Sequence, residues 1–214
     1  MMKVNIRQEA ASDYDKVERI TREAFYNIYV PGCTEHYLIR LLRRHEDFLP
    51  ELDLVLELDG EIIGSIMYTK AKLVDEQGTE KQIVTFGPLC IAPSCQRKGY
   101  GKLLLNYSLK QAGQMGYEAV VIFGSPANYV SSGFISCRKY NVSTADGQYP
   151  AAMLVKELKA GALSGKRWIY YCSPAMEFDA AAALRYDDTL EPLARKQLPC
   201  QEEFYILSHS FIED

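Results

Sequence analysis

Thr85-Phe-Gly-Pro-Leu-Cys-Ile-Ala-Pro-Ser-Cys-Gln-Arg-Lys-Gly-Tyr-Gly-Lys-Leu-Leu-Leu105 joins an apolar strand to the start of a helix. Ile83 to Ile91 is apolar and β-branched enough for a short buried strand, interrupted by Gly87-Pro88. A Gly-Pro pair is poorly tolerated in a regular ladder, so it predicts a bulge or a place where pairing with a neighbour is released. After Pro93 comes a turn, Gln96-Arg-Lys-Gly-Tyr-Gly-Lys102, and Leu103 to Leu105 open a helix. Backbone N–H groups at a helix start have no intrahelical partner and carry partial positive charge, which suits them to hold a phosphate. Gly99 and Gly101 let the backbone approach an anion closely, and Arg97, Lys98 and Lys102 add charge. The stretch reads as a diphosphate cradle.

Two familiar cradles do not fit. The G-x-x-x-x-G-K-[ST] spacing of the nucleotide P-loop is absent, and the dinucleotide fingerprint needs G-x-G-x-x-G directly after the strand.

Outward from the cradle, the upstream half alternates in period. Val4-Asn-Ile-Arg7 predicts a short strand. Ser12-Asp-Tyr-Asp15 resembles a capping box, with Ser12 accepting from the backbone at Asp15, and Val17, Ile20, Ala24 and Phe25 follow as a helical stripe. Thr34 starts a second helix with Tyr37, Leu38, Leu41 and Leu42 inward and Arg43-Arg44 in its last turn. Leu54 to Leu58 and Glu61 to Tyr68 flank Asp59-Gly60 as a hairpin, the second strand continuing towards Leu73-Val74. Downstream, the helix runs from Tyr100 to Met115 and stops at Gly116. Glu118 to Phe123 is a buried strand, parallel to the central one because a helix crosses between them. Successive antiparallel strands followed by a β-α-β crossover predict an α/β (α+β) fold: a mixed, mostly antiparallel sheet with helices on both faces.

A second diagnostic stretch follows, Gly124-Ser-Pro-Ala-Asn-Tyr-Val-Ser-Ser-Gly-Phe134. Pro126 favours the first turn of a short helix that presents Tyr129 on one side. Gln96-x-x-Gly99-x-Gly101 after Gly-Pro-Leu-x-Ile-x-Pro resembles the pyrophosphate loop of the GNAT superfamily of acyl-CoA N-acyltransferases. The second stretch resembles that family's Gly-x-Pro-x-Tyr-Tyr-x-x-x-Gly-Phe segment, with Asn128 in place of the first Tyr and Tyr129 matching the second. Leu158-Lys-Ala-Gly-Ala-Leu163 is similar to a pattern in one bacterial subgroup of unsettled substrate. The resemblance covers roughly residues 3–158.

The resemblance implies a domain over residues 1–158, with residues 159–214 as a C-terminal extension packed on the core or on a second subunit. Met153 to Leu158 reads as the final strand of the domain; within the extension, Trp168 to Tyr171 suggests another strand and Asp179 to Tyr186 a short helix, while Glu202 to Phe211 has no clear pattern. The implied cosubstrate is acetyl-CoA, lying in a V between the central strand and the Glu118–Phe123 strand. Leu89 and Ile91 would leave backbone groups free for the pantetheine arm, with Cys90 between them. The diphosphate would rest on the amides of Gln96, Arg97, Lys98, Gly99, Tyr100, Gly101 and Lys102, and Asn128 would hydrogen-bond the arm. The expected reaction is direct attack of a primary amine, from a small molecule or a peptide, on the thioester. Proximity, a backbone N–H near Leu89 and a proton from Tyr129 to the leaving thiolate would then supply the catalysis. Glu23, Glu35 and Glu57 are candidates for the base. Cys90 raises a ping-pong alternative through an acylated thiol. A non-catalytic acyl-CoA-binding sensor or assembly protein is the competing reading.

Composition bounds the rest. The net charge of −4 argues against a nucleic-acid binder driven by general basicity. No apolar run approaches bilayer length and the first residues lack a signal-peptide core, so no membrane partner is expected. Six dispersed cysteines without C-x-x-C point to free thiols in a cytoplasmic protein with neither a disulfide framework nor a metal site. A homodimer is possible.

Overall fold

The computed structural model describes residues 3–213. The chain runs β1 (Val4–Gln8), α1 (Tyr14–Phe25), α2 (Glu35–Leu42), β2 (Leu54–Leu58), β3 (Glu61–Asp75), β4 (Glu80–Ile91), α3 (Tyr100–Gln114), β5 (Ala119–Phe123), α4 (Pro126–Tyr129), β6 (Ile135–Ser136), β7 (Val142–Ser143), β8 (Met153–Glu157), β9 (Trp168–Tyr171), α5 (Ala180–Asp187) and α6 (Pro199–Ser208). The main sheet path is β1-β2-β3-β4-β5-β8-β6, with β9 pairing β3 and β7 off it. On that path β4 and β5 are parallel and their neighbours antiparallel. This is the mixed, helix-flanked sheet that the sequence predicts.

Alternation along the strands divides the core. Leu54, Leu56, Ile66 and Tyr68 face α3, which returns Leu104, Leu105, Leu109 and Ala112 at helical spacing. Val55, Ile62 and Met67 face the other way, against Val17 and Ile20 of α1 and Ile39 and Leu42 of α2. Full burial of each such aliphatic side chain contributes about 1.5–3 kcal/mol. Helix α3 ends in a Schellman arrangement: Gly116 is left-handed (φ +93°), its N–H donates to Gly113 O, and Tyr117 N–H donates to Ala112 O.

Two local expectations change. Ser12 does not cap α1; the Asp13 carboxylate accepts from Ala10 N–H at 2.8 Å and pairs with Arg7 at 2.6 Å, an ionic acceptor displacing a weaker hydroxyl. The buried face of α2 is His36, Ile39 and Leu42: Leu42 is inward as expected and Leu38 packs half-buried on the same core, whereas Tyr37 and Leu41 are only half-buried, and His36 is enclosed because α5 covers it. Tyr186 of α5 stacks on His36 with ring centroids 5.5 Å apart and lies against Tyr37 at 5.6 Å.

The segment after residue 158 packs on the rest of the chain. Strand β9 extends the sheet by pairing Trp168 to Tyr171 with Lys72 to Asp75. Asp187 is buried and accepts from Arg22 Nε at 2.6 Å and from Arg195 at 3.1 Å. Asn27, itself left-handed (φ +62°), is clamped by bonds to Ala194 O, Lys196 N–H and Gln201. Residues 202–211, featureless by pattern, are largely the helix α6.

Candidate active site

Strand β4 carries two residues, Gly87 and Pro88, against the single Met67 of β3: the register passes from Tyr68–Phe86 to Ile66–Leu89. Such a bulge bends the strand and increases its twist. On its other edge β4 meets β5 in register only at Val84–Val120, while β5 continues to Phe123 paired with β8 alone. The two strands therefore part beyond Val84. Gly64 opposite the far side of the bulge permits the close approach of β3; a Cβ there would lie 2.4 Å from Ile91 Cδ1 and 2.9 Å from Cys90 O.

The opening is a cleft of about 600 Å³. Its floor is Phe86 to Ile91, one end is the turn of Gln96, Arg97, Gly99, Gly101 and Lys102, and one side is Asn128 and Tyr129. Arg97 (φ +61°) and Gly99 (φ +88°) are both left-handed. Left-handed residues in such turns bring successive N–H groups onto one concave, anion-binding face. Among the described residues, no protein acceptor takes the N–H groups of residues 97–102; the first paired amide is Leu103, which donates to Gly99 O at 3.0 Å. A set of oriented, unpaired donors at a helix N-terminus fits a phosphate group.

Two residues of the turn face elsewhere. Lys98 Nζ donates to Ser94 O at 2.9 Å, and the Tyr100 ring packs on the core beneath α3. Gln96 Nε2 donates to Ile91 O at 2.9 Å, so that carbonyl has a partner within the protein, and the bond ties the turn to the strand. Gly101, unlike Gly99, does not need a positive φ, and an added Cβ would make only ordinary contact with Ile91 at 3.6 Å.

Cys90 touches the cleft, but its thiol turns into the protein, 3.3 Å from Ser65 Oγ and 3.4 Å from Thr21 Oγ1. Burial raises its pKa, against those two hydrogen bonds. A neutral, enclosed thiol is a poor nucleophile, which disfavours the ping-pong route. Cys95 also lines the cleft, near the turn.

Tyr129 stands against Phe86 and Phe134, centroids 5.7 and 5.9 Å away. No protein group among the described residues hydrogen-bonds its hydroxyl. Burial, and then the Tyr29 phenol, raise its pKa above that of a free tyrosine, so it remains protonated at neutral pH.

The opposite wall comes from α1, α2 and the loop between them: Ala24, Phe25, Ile28, Tyr29, Glu35 and Leu38. Of the three carboxylates weighed from sequence, only Glu35 is here. Glu57 is bound to Arg7 and Asn5 on the β1–β2 pair, and Glu23 is exposed outside the cleft. Glu35 Oε2 accepts from Thr34 N–H at 3.0 Å and from the Cys33 thiol at 3.2 Å. Burial raises its pKa despite these donors, and among the described residues no cation is one of the groups acting on it. Tyr29, whose pKa rises through burial and then the Glu35 charge, lies between Glu35 and Tyr129 in this chain of influences. Pattern could nominate Glu35 but could not choose it, because a single acidic residue at a helix start carries no periodic signal.

A parted parallel strand pair, a phosphate-suited helix tip and a facing, mostly apolar wall that carries one carboxylate are the features of an acyl-CoA-dependent transferase. The model of the Acetyltransferase (GNAT) family matches residues 22–137, and the chain belongs to that family, the acyl-CoA N-acyltransferases. Among curated relatives, it is 29% identical over 161 residues to the uncharacterized N-acetyltransferase YhbS of Escherichia coli K12, covering 75% of this chain and 90% of that one. It is 27% identical over 120 residues to the uncharacterized N-acetyltransferase YjhQ of the same organism, covering 56% and 62%. Among solved structures, YhbS from Escherichia coli in complex with CoA superposes with a TM-score of 0.69 at 25% identity, over 82% of this chain and 92% of that one. A Brucella melitensis GNAT family acetyltransferase in complex with acetyl-CoA gives 0.63 at 21% identity, over 82% and 99%, a likeness of fold. Among the described residues, no helix is long and apolar enough to cross a membrane.

Proposed function

We propose that the protein transfers an acetyl group from acetyl-CoA directly to a primary amine. The observation that carries this reading is the row of unpaired N–H groups at residues 97–102, placed at the mouth of the β4–β5 opening. A CoA diphosphate fits that row, with Arg97 and Lys102 adding charge, and the thioester arm fits along Leu89 to Ile91 towards Asn128 and Tyr129. That the similar YhbS is solved in complex with CoA supports CoA as the ligand.

In this mechanism Glu35 accepts one proton from the incoming ammonium, and its raised pKa makes it a stronger base than a solvated glutamate. The freed amine forms its N–C bond to the thioester carbonyl as the C–S bond breaks. A backbone N–H at the bulge near Leu89 stabilises the oxygen as it gains charge. Tyr129 gives its proton to the departing sulfur and regains one from the new amide nitrogen. The net products are an N-acetyl amine, CoA thiol and one proton passed from Glu35 to solvent.

Thermal shift with acetyl-CoA, followed by thiol release on adding amines, tests the reading. Stabilisation by acetyl-CoA with amine-dependent thiol release is the expected result. Stabilisation without release from a broad amine panel favours the sensor reading, and no stabilisation removes both.

A further inference from the structure

The amine side of the cleft has an uneven chemistry. Among the described residues, Glu35 is the only acidic one lining the cleft, and the α1–α2 wall that carries it is otherwise Ala24, Phe25, Ile28 and Leu38 with the Tyr29 phenol, while Phe123 lines the cleft from β5. Among the described residues near α1 and α2, Glu18 pairs with Arg40 and Arg43, Glu9 with Arg43, and Asp187 with Arg22 and Arg195, while the buried Asp53 beside Glu9 does not line the cleft. Glu35 has no such cation, and its hydrogen bonds to Cys33 and Thr34 fix it without neutralising it. A half-buried carboxylate without a counter-charge, at the focus of an apolar wall, is completed by one ammonium.

We infer that the acceptor is an amine with a single positive charge on an apolar body, an alkylamine or arylalkylamine, held at its nitrogen by Glu35 and along its carbon skeleton by the wall from Ala24 to Leu38 and by Phe123. The inference rests on the transfer reading above and narrows its substrate class. The wall itself discriminates. A second ammonium, as on a polyamine or an aminoglycoside, would lose water against Phe25, Ile28 or Leu38 with no carboxylate to meet it, and an unpaired charge on such a surface is costly. A peptide would set some of its flanking amides against Phe25, Ile28 and Leu38, which offer no hydrogen-bond partner. An alkyl chain only gains there. Phe123, 54% exposed, offers an open apolar face on the β5 edge of the cleft. The wall extends outward, where the Phe204 ring of α6 packs on Tyr29 with centroids 4.5 Å apart.

The test is thiol release from acetyl-CoA by the full-length protein with butylamine, hexylamine, 2-phenylethylamine, spermidine, kanamycin and a lysine-containing tetrapeptide, alongside acetyl-CoA thermal shift. On the expected result, hexylamine and 2-phenylethylamine are the best acceptors, and kcat/KM rises about threefold for each methylene from butylamine to hexylamine. Glu35→Gln raises the KM for hexylamine by about 30-fold or more while leaving the KM for acetyl-CoA in place. Preference for spermidine, kanamycin or the peptide overturns the inference, as does an equal response to butylamine and hexylamine. So does silence from every amine in a protein that acetyl-CoA stabilises. Absence of that stabilisation instead overturns the transfer reading, and this inference with it.

Discussion

At the scale of single residues, the proposed reaction assigns the proton work to Tyr129 and Glu35, and their surroundings suit the division. Both are partly withdrawn from water, which favours the neutral form of each: Tyr129 keeps its proton to give, and Glu35 more readily takes one. Because the Tyr129 hydroxyl has no protein partner among the described residues, its removal costs the fold little. Tyr129→Phe is expected to keep the melting temperature and the acetyl-CoA affinity while kcat falls by about 10²-fold, measured by thiol release with a saturating amine. An unchanged kcat would take Tyr129 out of the mechanism. The sequence made Tyr129 a candidate through its place in the Gly124–Phe134 segment, not through residue type, since the chain has 15 tyrosines. Glu35 was one of three; its choice depends on a loop closing it against Cys33 and on the pairing of its acidic neighbours elsewhere.

At the scale of elements, the turn into α3 works through backbone shape more than through side-chain charge. Gly99 is left-handed and forms the N-cap of α3, whereas Lys98 reaches back to Ser94 O and leaves the cleft. A side chain at Gly99 must adopt a conformation that costs about 1–2 kcal/mol, or else rotate the N–H groups of the turn away from one another. Gly99→Ala is therefore expected to weaken acetyl-CoA binding about tenfold or more, and Lys98→Ala by less than about threefold, by calorimetric titration. Equal losses in the two variants would mean that charge, not the oriented amides, holds the ligand. Gly101 belongs with Gly99 in the sequence pattern but not in conformation, and its substitution should be the milder of the two. The same scale explains why β4 was legible in advance. Gly87-Pro88 announces an interrupted ladder, but that β5 pairs at Val84 and then parts is fixed by the partner strands, which no local pattern records.

At the scale of the molecule, the segment after residue 158 holds the α1–α2 wall of the cleft in place. Asp187 draws Arg22 of α1 and Arg195 of the extension together, and Asn27 is tied to Ala194, Lys196 and Gln201, so the α1–α2 loop bearing Ile28 and Tyr29 is fixed from the C-terminal side. His36 sits beneath this junction with no exposed surface; burial lowers its pKa to about 4 from 6.5, against the attraction of Asp187. Its nitrogen is 3.4 Å from Asp187 Oδ1 without a well-formed hydrogen bond. A depressed histidine contributes stability that is present above the unfolded value and is lost as pH falls towards the folded one. Denaturant unfolding should therefore show stability falling as pH is lowered from 6.5 towards 4. His36→Phe, which keeps an aromatic ring against Tyr186, should flatten that part of the profile; an undiminished slope would assign the acid sensitivity to other groups.

The sequence alone determined the order of strands and helices from β1 to β5, the turn that suits a diphosphate and the place of Tyr129, because each is written in local periodicity, turn chemistry or motif spacing. Tertiary structure alone decided which carboxylate lines the cleft, which way α2 turns its buried side, that Lys98 and Tyr100 leave the cleft, and that the C-terminal residues brace its α1–α2 side. Those outcomes depend on contacts between residues far apart in the chain. Asp187 lies 165 positions from Arg22, and neither residue carries in its own neighbourhood any mark of the other.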